Sequence, residues 1–95
     1  MINEERLLQE FLELVQIDSE TKNEGQISKV LKDKFTALGL DVYEDNAKEV
    51  TGFGAGNLIC TLPGNVEGAD TIYFTSHMDT VTPGVGVKPS IKDGY

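Results

Sequence analysis

The sequence predicts an α/β fold in which two amphipathic helices precede about three short strands. Two observations lead there. Over residues 3–16 and about 24–38 apolar side chains recur at three- and four-residue spacing, the period of a helix that buries one face. Beyond residue 39 the apolar positions alternate, or run together in β-branched stretches bounded by glycine and proline. A chain of 95 residues makes one domain at most, and folding would remove roughly 60–65% of its unfolded surface from water.

In "NEERLLQEFLELVQ" the apolar stripe is Leu7, Leu8, Phe11, Leu12 and Val15, while Glu4, Glu5, Gln9, Glu10 and Glu13 largely occupy the other face. The acidic first turn suits the positive end of a helix dipole. "IDSETKNEG" then breaks the periodicity with short polar residues. Asn23, with Gln26 three positions on, is spaced like a capping box that restarts a helix. This second helix is expected from about Glu24 to Leu38, with Ile27, Val30, Leu31, Phe35 and Leu38 facing inward. Gly39 falls where a left-handed C-cap needs a residue without a Cβ. Ser19, Thr21 and Glu24 read as capping residues rather than substrate contacts.

"LDVYE" alternates like a half-buried strand, Leu40 and Val42 to one side and Asp41 and Tyr43 to the other. "NAKEVTGFGAG" is a loop with room for one helical turn. Its glycines, Gly52, Gly54 and Gly56, permit positive φ or close backbone approach. A phosphate cradle would need a strand before the glycines and a helix after them. Here the β-rich run "NLICTLPG" follows, so the loop reading is preferred. "TIYFTS", residues 71–76, is the apolar, β-branched kind of run found in strands buried on both faces, and it needs a covering layer. From Thr80 onward glycine and proline dominate, and only short extended pieces are expected.

Sixteen acidic residues against eight basic give a net charge of −8. A negative field repels nucleic acid and anionic membranes, so neither is expected as a partner. The charged opening "MINEERLLQE" reads as neither a signal peptide nor a membrane span, and the cytoplasm is the expected compartment. A lone cysteine, Cys60, cannot form an internal disulfide and reads as an inert buried thiol.

The chemistry concentrates in "TSHMDTVTPG", which holds the single histidine of the chain. His77 directly follows the 71–76 run, so it would sit at the C-terminal end of a strand, where open α/β sheets place their sites. If the backbone stays extended, His77 and Asp79 point to one side. The carboxylate can then accept a hydrogen bond from the imidazole nitrogen that a metal does not use. A catalytic zinc needs about three protein ligands, and no second ligand spacing is present. On spacing alone, a satisfied polar histidine at a strand end is the preferred reading over a metal ligand.

The flanks make the pattern more specific. "GNLICTLPG", "TIYFTSHMDTVTPGVGVKP" and "IKDGY" closely resemble the N-terminal part of the dinuclear zinc exopeptidases of the peptidase T type, relatives of aminoacylases and carboxypeptidases. The resemblance covers nearly the whole chain: opening helix, polar "IDSETKNE", second helix ending near "LGLDV", Gly-Asn-Leu strand, and a run leading into His-Met-Asp-Thr-Val. It implies that residues 1–95 are the N-terminal portion of a three-layer zinc-exopeptidase catalytic domain. The rest of that domain and a lid or dimerisation domain would lie outside them. It further implies two zinc ions, a short peptide substrate, and a homodimer formed through the other domain. His77 looks like a ligand to one zinc, and Asp79 like the catalytic-site aspartate that orients its imidazole. The remaining ligands and the glutamate general base lie downstream in the family, so residues 1–95 alone are expected to be inactive. "TPGVGVKP" resembles the tripeptidase branch more than the deacylase branch, whose members often carry a tryptophan soon after the motif. A related zinc deacylase or carboxypeptidase, and a non-catalytic α/β binding domain, are the alternative readings.

Overall fold

The computed structural model describes residues 2–95. The first helix, α1 (Glu4–Val15), starts where the Asn3 side chain accepts a hydrogen bond from the Arg6 amide at 3.0 Å, with Glu4 and Glu5 in its first turn. Asn3 satisfies one of the donors a helix start leaves open. The apolar stripe forms as the periodicity requires, yet Leu7 and Phe11 remain largely exposed and no α1 residue is buried. Lys34 of the second helix reaches back to Glu10 and Glu13, both at 3.1 Å.

The second helix, α2 (Gly25–Ala37), supplies the core. Ile27 is 5% exposed, and Val30, Leu31 and Phe35 are half-buried on the same face. Its C-terminus closes as a Schellman turn: the Gly39 amide donates to Thr36 O (3.0 Å), and the Leu40 amide donates to Phe35 O (3.2 Å). Gly39 sits at φ +87°, as its position requires. The start differs from the expected capping box. Asn23 is held in a turn by Glu20 O, the cap position falls one residue later at Glu24, and the Glu24 carboxylate binds the Lys22 amide instead of capping the helix.

The strands β1 (Asp41–Glu44) and β2 (Leu58–Thr61) pair antiparallel, with Val42 opposite Cys60 and Tyr43 opposite Ile59. Burial alternates along both, so Val42, Glu44, Leu58 and Cys60 share the partly covered face and Tyr43 and Ile59 the open one. Helix α2 packs against both strands, and Lys32 bonds Glu44 at 2.7 Å. Cys60 is thus half-buried rather than buried.

Between the strands lies one short helix, α3 (Ala47–Thr51), the helical turn for which the loop had room. Asp45 ties the loop shut: its carboxylate accepts from Asn57 N (2.7 Å), Asn57 Nδ2 (2.8 Å) and Ala47 N (3.1 Å). A Cβ at Gly56 would overlap the Asp45 carbonyl, and one at Gly54 would lie 2.8 Å from the Glu24 amide nitrogen. The Gly54 and Gly56 amides donate to Lys22 O and the Glu44 carboxylate. They are spent inside the chain, which agrees with the loop reading over a phosphate cradle.

The expected strand at 71–76 is a correction. Those residues belong to no strand, and Ile72, Tyr73 and Phe74 are highly exposed, Phe74 at 94%. A strand is defined by ladder hydrogen bonds, and no neighbour among the described residues offers them. The α/β class stands, with two paired strands rather than three. The described residues expose 8151 Å², where a compact monomer of this size exposes about 5,400 Å².

Candidate metal centre

Directly after the unpaired run, His77 and Asp79 turn toward each other. The imidazole Nδ1 lies 3.1 Å from Asp79 Oδ1 and 3.0 Å from the Asp79 carbonyl oxygen. A proton on Nδ1 donated to Asp79 leaves the Nε2 lone pair for a metal. The ring is 84% exposed, so Nε2 is reachable. This is the juxtaposition the two-residue spacing predicts, although no strand delivers it.

Asp79 is held from its other side. Its Oδ2 accepts the Thr21 hydroxyl proton at 2.7 Å. That bond is the main reason the Asp79 carboxyl lies below its ordinary value of 3.8; partial burial opposes it, and the nearby imidazole adds to it. An ionised carboxylate at neutral pH is the form that can accept from both Thr21 and His77.

Thr21 belongs to a short segment that clasps the whole loop after Asp79. The Thr80 amide donates to Ser19 O (2.9 Å), and Glu20 forms an isolated parallel bridge with Thr80. The Gly84 amide donates to Glu20 Oε2 (2.8 Å), and the Gly86 amide to Asp18 Oδ1 (2.9 Å). Gly84 must be glycine, because a Cβ there would lie 2.8 Å from Val81 O. The expectation that Thr21 caps a helix is therefore corrected. Asp18, Glu20 and Thr21 went unrecognised because each resembles a turn residue when read with its immediate neighbours. One signal pointed to them: acids at 18 and 20 match glycines at 84 and 86 in the same two-residue step.

As a metal centre the arrangement is partial. One imidazole with an oriented carboxylate fits one end of a zinc site. Among the described residues no group of three His, Cys, Asp or Glu side chains is close enough to hold an ion. No helix among them is long and apolar enough to cross a membrane.

No family model matches the sequence. The chain is 68% identical over all 95 residues to the uncharacterized protein YqjE of Bacillus subtilis, of which it spans 25%. Its fold superposes on the crystal structure of aminopeptidase PepT from Bacillus cereus with a TM-score of 0.94 at 70% identity. A tripeptidase from Staphylococcus aureus gives 0.93 at 59% identity. Each structural match covers 98% of this chain and 25% of the other. The chain thus spans about a quarter of the length of the relatives it matches, and over that quarter it is similar in sequence and fold to the aminopeptidase PepT and tripeptidase structures.

Proposed function

We propose that residues 1–95 form the N-terminal part of the catalytic domain of a two-zinc aminopeptidase that acts on short peptides, tripeptides among them. The observation that carries this reading is the His77–Asp79 pair, with Nδ1 engaged and Nε2 outward, on a chain 70% identical to PepT in sequence and near-identical in fold. In this reading His77 is a zinc ligand, and Asp79 fixes its tautomer and raises its basicity. The zinc pair, when bound, supplies a Lewis acid for the scissile carbonyl and a nucleophile at neutral pH. The other ligands and the proton-shuttling carboxylate would come from sequence beyond Tyr95. The surface surplus and the bare 71–76 run support a layer contributed by that sequence. The reading also includes a cytoplasmic enzyme and a homodimer formed through a second domain.

The test is tripeptide hydrolysis by the full-length protein. Activity is expected to vanish on chelation, return with zinc, and be lost together with bound zinc in His77→Ala. Activity confined to N-acyl amino acids, or a His77→Ala variant that keeps its zinc, sinks the proposal. Residues 1–95 alone are expected to show no activity and only weak zinc uptake, because one imidazole and one carboxylate do not complete a site. Tight stoichiometric binding in calorimetry would contradict that.

A further inference from the structure

We infer that Thr21 is a positioning residue for the metal centre: its hydroxyl fixes the Asp79 carboxylate so that Oδ1, rather than the Asp79 backbone carbonyl, holds the His77 imidazole. The inference rests on the reading of His77 as a zinc ligand. The Nδ1 proton has two acceptors within reach, the carbonyl oxygen at 3.0 Å and Oδ1 at 3.1 Å. A carboxylate strengthens the ligand more than a neutral carbonyl, because a charged acceptor makes the stronger bond and raises the basicity of Nε2. Which acceptor prevails depends on where the carboxylate points, and an aspartate side chain one-third exposed is free to turn unless something holds it. The hydroxyl of Thr21 is that hold, at 2.7 Å on Oδ2. It is itself anchored, because Ser19 O and the carboxylates of Asp18 and Glu20 bind the backbone at residues 80, 84 and 86.

Two substitutions separate positioning from simple support. Thr21→Val removes the hydroxyl at nearly constant shape. Asp18→Ala loosens the same clasp without touching Asp79. In the full-length protein, Thr21→Val is expected to weaken zinc binding about tenfold in chelator competition, the lower end of what losing a partner behind a metal-binding histidine costs. In the metal-free protein the Nδ1 proton is expected to pass from the carboxylate to the Asp79 carbonyl with the tautomer unchanged, moving the His77 Nδ1 resonance in 15N NMR toward that of a proton held by a neutral acceptor. Thr21→Ser should restore both readouts, and Asp18→Ala, which leaves the Ser19 and Glu20 ties in place, should change both less than Thr21→Val does. Unaltered affinity and Nδ1 resonance in Thr21→Val, or an equal loss in Asp18→Ala, would overturn the role of Thr21 while His77→Ala still loses its zinc. A His77→Ala variant that retains zinc would overturn the underlying reading as well.

Discussion

From residue 41 to 44 every strand position has a cross-strand partner in 58–61, and α2 covers one face of the pair. From 71 to 76 a run at least as apolar has no ladder partner, and its aromatic side chains stand in solvent. Both stretches carry the residue types of a strand. They differ in whether a second stretch with free amides and carbonyls lies within reach, since buried backbone groups must be paired. The hairpin finds its partner 14 to 20 positions away through the α3 loop. The later run does not find one among the described residues. In the proposed reading, the bare apolar run beside the oriented histidine is a surface that the rest of the protein covers.

The sharpest test of that contrast is Phe74→Ala measured twice. In the 95-residue chain the side chain is exposed, and the change should stay within about 0.5 kcal/mol in denaturant melts. In the full-length protein, where the proposed function has 71–76 covered, it should cost about 3–5 kcal/mol. Equal small effects in both would break the comparison. A smaller effect is expected on the closed side: Gly56→Ala forces a Cβ against the Asp45 carbonyl and should cost about 1–3 kcal/mol, as overpacking does. A neutral result there would show that the loop yields.

The smallest effect concerns Glu44. The Lys32 ammonium first, and the Gly56 amide second, hold its carboxyl below the ordinary 4.5. A lowered folded value means the stabilisation is complete above the ordinary value and is lost as pH falls through the folded one. Glu44→Gln should therefore cost about 0.2–1 kcal/mol at pH 7 and flatten the acid side of the stability profile. A profile with the wild-type slope would show that the pair does not contribute.

Much of this was legible because it is local. Helical spacing located α1 and α2, Gly39 marked the end of α2, and alternation located β1. The apolar run at 71–76 was read as a strand and is not one, since residue type carries no information about a partner's position. At the site, His77 and Asp79 lie two residues apart and could be paired from sequence. Thr21 lies 58 positions from Asp79, and nothing near it distinguishes a hydroxyl that grips a distant carboxylate from one that caps a turn.

The clasp between residues 18–21 and 79–86 joins positions separated by 58, 64 and 68 in the chain. Closing loops of that length requires the intervening segments to have collapsed first, and such contacts are the slow ones in folding. The Asp79 carboxylate is therefore expected to be fixed in place late, after α2 and the hairpin have formed. In the reading proposed above, metal capture would then report on a finished fold, and a misfolded chain would be left with an unaligned histidine that competes poorly for zinc.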